Sequence, residues 1–256
     1  TGGGVRCRGR NAAGQLGDGT TIDRSTPVVV PGITGIVELA EGSSFSCARS
    51  SAGTFKCWGL NGCGQLGSGS GVASPVPVAV SGLTGVVEVE SGAMHSCARL
   101  SDGTVKCWGA NNAGQLGDGT TNERLTPVAV PDLVGVVDLG LGSVHSCAVL
   151  ADGRVECLGN NDFGELGDGT TTGRASPGFV AGIDTAVEVA ASSTESCARL
   201  RDGTVMCWGE LVFDPSRDGT PTAVPSLAAV VELSLGGGHD CARLVDGTVE
   251  CWGAGN

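Results

Sequence analysis

HSCARLSDGTVKCWG, residues 95–109, decides how the rest of the chain is read. Two runs of β-favouring residues flank Ser101-Asp102-Gly103, and Asp-Gly between such runs is a strong hairpin signal. A three-residue loop sets Cys97 directly opposite Cys107. Upstream, Val86-Val87-Glu88-Val89 is a short β-branched run followed by Gly92. Downstream, a Gly-rich loop over 109–126 leads to a fourth short run at 127–130. The expected strands are therefore 86–89, 95–100, 104–108 and 127–130.

This unit recurs with a period of 50 residues. GQLG stands at 14–17, 64–67 and 114–117, and returns as GELG at 164–167. CWG stands at 57–59, 107–109, 207–209 and 251–253, weakened to CLG at 157–159 and CRG at 7–9. The final interval is 44 residues, because the loop after Gly209 is shortened and rewritten. Four short strands per unit of 40–50 residues mark a β-propeller blade, and no window carries helically spaced apolar residues with caps. The expectation is an all-β propeller over 1–256 as a single domain or segment, with units near 1–46, 47–96, 97–146, 147–196 and 197–240, and a partial unit at 241–256.

GQLGDGTT before a Pro, the Val-Val-Glu-Val strand before Gly, and HSCARL followed by DGTVKCWG resemble the regulator-of-chromosome-condensation repeat, of the secreted variety with paired cysteines. The resemblance covers nearly the whole chain and fails only over 211–217. It implies a propeller that is usually closed by seven blades, of which five periods are present here, so the chain reads as part of a larger ring or as a ring with an unusual seam.

Composition excludes several function classes. Gly contributes 45 of 256 residues and Tyr none, which suits a fold built from many tight turns. A net charge of −12 without a Lys/Arg run opposes binding to nucleic acid or anionic lipid. The longest apolar stretches, such as 27–36, are too short and too interrupted to span a bilayer.

The cysteines point to a compartment. Cys47/Cys57, Cys97/Cys107, Cys147/Cys157, Cys197/Cys207 and Cys241/Cys251 are each ten residues apart around a turn. Opposed residues of a non-hydrogen-bonded pair lie close enough to cross-link. Each such loop would contribute about 2–3 kcal/mol in the chain-entropy picture. The competing reading is two rows of reduced core cysteines; zinc is disfavoured because no Cys-x-x-Cys occurs. Disulfides imply an extracellular or cell-surface location. Cys7 lacks an in-blade partner, and whether it joins Cys63 is left open.

The remaining recurrent polar residues read as blade chemistry. His95, His145 and His239 share a repeat position with Phe45 and Glu195, which favours packing over a metal ring or a catalytic base. Glu38, Glu88, Asp138, Glu188 and Glu232 recur once per unit and offer either a cation-binding ring or local pairing. Arg49, Arg99, Arg199 and Arg243 are placed to pair with a neighbouring strand, Arg243 with Glu250 being one expected pair. Asp18, Asp118 and Asp168 lack the spacing of a calcium loop and are expected to cap turns. Trp58, Trp108, Trp208 and Trp252 are expected between neighbouring blades, with sugar stacking as the alternative. No nucleophile–base pair or phosphate loop is present, so no catalytic, metal or cofactor residue is assigned.

The expected function is non-enzymatic: an extracellular propeller that binds a protein partner, as the resemblance to secreted family members implies. The alternatives are a structural repeat of a surface protein or filament, with self-assembly or inclusion in a longer chain, and a guanine-nucleotide exchange factor, as the founding family member is. That last activity uses an inserted segment, and no unit here carries one. For partner contact, the departing segment Glu210–Arg217 is the candidate, through Leu211, Val212 and Phe213, with Phe163 extending the patch; the bland reading tucks these residues inward.

Overall fold

In the computed structural model the described residues are 3–211, 213 and 219–253. Among them there are 21 strands and no helix. The chain divides into two compact units, 1–112 with 122–130, and 113–121 with 131–256.

The first unit holds three antiparallel sheets. Strands β1 (Arg6–Gly9) and β2 (Arg24–Val29) form a pair. A four-stranded sheet follows, from β3 (Ile36–Glu41), β4 (Phe45–Ser50), β5 (Phe55–Gly59) and β6 (Ser74–Ala79). A second comprises β7 (Val86–Ser91), β8 (His95–Leu100), β9 (Val105–Gly109) and β10 (Arg124–Ala129). The second unit repeats this meander with β11 (Val136–Leu141), β12 (His145–Leu150), β13 (Val155–Gly159) and β14 (Arg174–Phe179). It continues with β15 (Ala186–Ala191), β16 (Glu195–Leu200), β17 (Val205–Gly209) and the two-residue β18 (Thr222–Ala223). It ends with the three-stranded set β19 (Val230–Leu235), β20 (His239–Leu244) and β21 (Val249–Gly253). These are the blades of an all-β propeller of the repeat type read from the sequence.

Three of the four strands fall where the sequence places them, within one or two residues at their ends. The fourth begins earlier than expected, at Arg124 rather than 127, and contains Pro127. It is the outermost strand of its sheet, where a missing N–H costs nothing, and its register against β9 shifts between Arg124 and Val128.

The hairpin is closed by backbone and side chain together. Leu100 N–H donates to Thr104 O at 2.9 Å and Gly103 N–H to Leu100 O at 2.9 Å. Asp102 Oδ1 accepts from Thr104 N–H at 3.0 Å. This turn holds Cys97 opposite Cys107 in the β8–β9 ladder.

All five ten-residue pairs are disulfides: Cys47–Cys57, Cys97–Cys107, Cys147–Cys157, Cys197–Cys207 and Cys241–Cys251, each with a Cα–Cα distance of 4.1 Å. The sequence treats the five alike, and the structure separates one of them. Cys157 is fully buried, because β13 lies between β12 and β14 in a complete sheet. Cys251 is exposed, because β21 is the edge of its three-stranded sheet and no fourth strand flanks it among the described residues. Cys7 and Cys63 are free thiols. Burial pushes both thiols up, helped by the negative charge of Glu41 at Cys7 and of Glu123 at Cys63.

Neighbouring sheets within a unit bury one another. In the first unit Phe45, Cys47, Phe55, Cys57 and Leu66 pack with Val86, Val89, Ala98 and Trp108. In the second, Cys147, Val149, Val155, Cys157 and Leu166 pack with Ala186, Val189, Ala198 and Trp208. Glycine is required where the loops press on the next sheet. A Cβ on Gly114, whose φ is +82°, would lie 2.6 Å from Ala175 Cα.

Two outcomes follow. Alkylation of the unreduced protein labels two of its twelve cysteines, Cys7 and Cys63, by intact mass; a larger number of labels would contradict the pairing. Gly114→Ala loses about 2 kcal/mol or more in chemical denaturation, because positive φ and a backbone clash both oppose it.

Candidate functional site

Most polar side chains singled out by recurrence are consumed inside the blades. Glu38 pairs with Arg49, Glu88 with Arg99, and Glu188 with Arg199 at 2.6 Å. The other oxygen of each of two carboxylates reaches the next sheet: Glu38 Oε1 accepts from Val89 N–H at 3.3 Å, and Glu188 Oε1 from Leu233 N–H at 3.0 Å. Asp138, whose unit has Val149 in place of Arg, accepts from Val189 N–H at 2.7 Å. Arg243 pairs with Glu232 at 2.7 Å and not with Glu250, the partner expected from sequence. The register explains this correction. Arg243 stands opposite Glu232 on β19 and opposite Val249 on β21, while Glu250 faces Ala242. The turn aspartates cap as expected: Asp18 Oδ1 accepts from Thr20 Oγ1–H at 2.7 Å and from Thr20 N–H at 2.9 Å, and these bonds, with Arg24, hold its carboxyl down to about 2. Asp118 and Asp168 make the same bond to Thr120 and Thr170.

The tryptophans and the GQLG loop form one connected device. Asn61 Oδ1 accepts from Leu66 N–H at 2.9 Å while its amide donates to Ser70 O at 2.6 Å. Gln65 Oε1 accepts from Cys63 N–H at 3.0 Å. The loop so shaped presents the Gln65 carbonyl to Trp108 Nε1 at 2.9 Å. The same bond joins Trp58 to Gln15 at 2.9 Å and Trp208 to Glu165 at 2.7 Å. A serine shares the acceptor: Ser46 Oγ donates to Gln15 O at 3.2 Å, and Ser196 Oγ to Glu165 O at 3.3 Å. In turn, His145 Nε2 meets Ser196 Oγ at 2.8 Å. Complete burial lowers His145 to about 4, so it is neutral and acts as a packing and hydrogen-bonding group.

The device lacks its indole where Leu158 holds the tryptophan position, and at one further place three series depart together. Glu195 stands at the histidine position, Asp240 at the serine position, and Leu211 at the position of Asn61, Asn111 and Asn161. Leu211 cannot clamp a loop. It is 6% exposed and packs with Val205, Leu227, Val230 and Leu233, with Phe213 partly buried against the same cluster. It therefore takes the inward alternative and is not part of an exposed patch. Phe163, the residue 50 positions before Phe213, is 39% exposed. Val212 and residues 214–217 of the expected contact segment lie outside the described residues.

Above Leu211 and Phe213 opens a cavity of about 240 Å³, lined also by Ser192–Glu195, Glu210, Gly236–Gly238, Asp240 and Trp252. Glu195 is 9% and Asp240 3% exposed, and their carboxyls are in hydrogen-bond contact. Burial first, then the Asp240 charge, pushes Glu195 up to about 8; burial likewise raises Asp240. Asp240 Oδ1 and Trp252 Nε1 are buried without a partner among the described residues. None of the cystine residues lines this cavity, so Cys157 and Cys251, like the others, serve the hairpins and not the site. Sequence reading noted Glu195 only as an exception in the histidine series. The signal that would have found the site was its coincidence with a second exception, Asp240, in the serine series.

Known proteins agree with this repeat. The family described as Regulator of chromosome condensation (RCC1) repeat matches residues 3–49, 57–99 and 102–149. A second family of the same description matches 36–65, 86–115 and 136–165. No curated protein sequence matches the chain. Among solved structures, human WBSCR16 is similar over 100% of this chain and 74% of its own, at 23% identity and a TM-score of 0.82. Prp20p from Saccharomyces cerevisiae, whose description names its binding to Gsp1p and histones, covers 97% and 80% at 17% identity, TM-score 0.68. Yeast RCC1 (Prp20) with Kap60 bound covers 99% and 79% at 18% identity, TM-score 0.63.

The carboxyl pair makes stability depend on pH in a stated direction. Glu195 keeps its proton in the folded protein up to about 8, whereas the unfolded chain releases it near the ordinary glutamate value. The folded state thus binds more protons between these values, and stability falls as pH rises through that window. Glu195→Gln is expected to flatten this fall, melting several degrees above the parent at pH 9 and with a smaller difference at pH 5, by calorimetry. Leu211→Ala is expected to cost about 2–5 kcal/mol, as core truncations do.

Proposed function

Because the chain belongs to the regulator of chromosome condensation (RCC1) repeat family, we propose that it is a propeller that binds a protein partner in an oxidising, extracellular or cell-surface setting and performs no catalysis. The observation that carries the reading is that the recurrent acids and arginines pair with one another within the blades, while the departures at Glu195, Leu211 and Asp240 coincide at one cavity. Positions that every blade needs answer to the fold; positions that break the pattern together are free to serve a partner. Five disulfides support the oxidising setting. Gsp1p, histones and Kap60 are named with Prp20 and supply here only the class, protein.

Immobilised protein, with its disulfides intact, is expected to retain a specific protein from culture medium or cell-surface extract and to lose it after reduction. It is also expected to leave nucleotide release from small GTPases unchanged at sub-stoichiometric concentration. Catalytic acceleration of release would defeat the reading.

A further inference from the structure

The sheet of β11 to β14 departs from the other sheets at five positions that meet on one surface. Phe179 stands where Ala79, Ala129 and Ala223 do, and Val134 where Thr34 and Thr84 do. Glu156 stands in the place of Lys56 and Lys106, Asp132 in that of Gly32, Gly82 and Gly182, and Arg154 in that of Thr54, Thr104, Thr204 and Thr248. All five, with Asp152, line an open depression of about 390 Å³ at the hairpin end of the sheet. Loops of the GQLG type, and the segment after Gly209, leave from the other ends of β13 and β17. Glu156 and Phe179 are directly opposed in the β13–β14 ladder, as Lys106 and Ala129 are in the β9–β10 ladder. β14 is the outermost strand of its sheet, and Phe179 is 47% and Val134 63% exposed. Apolar side chains that gather inside a polar rim mark a contact surface, as scattered ones do not.

Charge is reversed at this surface. Lys56 Nζ donates to Gly32 O at 3.0 Å and Lys106 Nζ to Gly82 O at 3.2 Å, so in two sheets an ammonium of the chain itself closes the turn before the first strand. In the β11–β14 sheet both ends of that contact carry carboxylates, Glu156 and Asp132, and neither forms an ion pair among the described residues. The two arginines whose charge reaches Glu156 are committed elsewhere. Arg154 binds Asp152 at 2.7 Å and lies over the Phe179 ring at 4.2 Å, and Arg174 binds Asp168 at 2.7 Å. Burial pushes the Glu156 carboxyl up against the pull of Arg154 and Arg174, and Asp152 and Asp132 add to the rise.

We propose that this surface receives a lysine of a protein partner, carried between apolar neighbours. The ammonium takes the place between Glu156 and the Asp132 turn that Lys56 and Lys106 fill from within, and the neighbours lie on Phe179 and Val134. To the protein-binding reading above, on which it rests, this adds a second place of contact and the chemistry that fits it. Charge complementarity selects the occupant. Nucleic acid or anionic lipid would meet the carboxylates of Asp132, Asp152 and Glu156 against the single charge of Arg154. A neutral sugar would use the ring and leave Glu156 and Asp132 unpaired. Lysine fits better than arginine, because a compact ammonium already occupies this place in two sheets, while Arg154 already supplies the guanidinium that stacks on Phe179.

The test uses the whole oxidised protein with ¹³C-labelled phenylalanine and two probes, an acetylated Leu-Lys-Leu amide and the same peptide with norleucine in place of lysine. The Phe179 ring resonances, identified by their loss in Phe179→Ala, are followed in low salt, where charge contacts at a surface are least screened. The lysine peptide is expected to shift them saturably and to bind about tenfold or more tighter than the norleucine peptide. Glu156→Lys is expected to weaken the lysine peptide by about tenfold or more. That variant installs the residue the fold already accepts as Lys56 and Lys106, and its melting temperature shows that it is folded; the isosteric Glu156→Gln carries the test should it fail to fold. Phe179→Ala is expected to lose both peptides by titration calorimetry and to keep its melting temperature. Equal binding of the two peptides, indifference to the Glu156 variants, or a larger response to N,N′-diacetylchitobiose or calcium chloride than to the lysine peptide overturns the proposal. So does a fall in melting temperature of Phe179→Ala with peptide binding retained, which would mean that the ring only packs the blade. The titration needs no partner. If the lysine peptide binds and no protein is retained from medium or extract, the protein-binding reading falls and the lysine site stands; if a protein is retained equally by the parent and by Glu156→Lys, only the lysine site falls.

Discussion

The bond from a buried tryptophan indole to the carbonyl of a loop 43 residues earlier organises this protein. Trp58, Trp108 and Trp208 are completely buried, and a buried N–H must find an acceptor. Asparagine, glutamine and glycine in the loop serve that bond: the asparagine amide and carbonyl fold the loop, the glutamine side chain fixes its turn, and Gly67 lets the indole approach. Each repeat therefore shapes the seat of the next one.

A second clasp acts on the first strand of each sheet. Glu38 and Glu188 bind an arginine on their own sheet with one oxygen and an amide of the following sheet with the other. Where the arginine is Val149, Asp138 keeps the bond to the following sheet. The recurrence of acids in this series is thus explained by local pairing, with no bound cation required.

The same logic makes the break after Gly209 informative. Replacing the clamping asparagine by Leu211 removes the loop-folding bonds and adds an apolar group to the core. Asp240 stands where the other hairpins place Ser46, Ser96, Ser146 and Ser196. Beside Leu211 lie a cavity and a carboxyl pair, Glu195 with Asp240, whose titration is drawn toward neutrality by burial.

The sequence by itself determined the repeat, the order and type of the strands, and the five cystine pairs. These follow from short-range rules: Asp-Gly turns, β-branched alternation and a ten-residue spacing act within one hairpin. It also exposed Leu211 as a departure. Tertiary structure alone decided what the departure means. Whether Leu211 and Phe213 point in or out, that Cys157 is covered while Cys251 is not, that Arg243 meets Glu232 and not Glu250, and that Glu195 touches Asp240 45 residues on, depend on register and on packing between strands and sheets. Those relations join residues distant in sequence, and the energy that selects them, burial and the satisfaction of buried polar groups, is defined only once the sheets have come together.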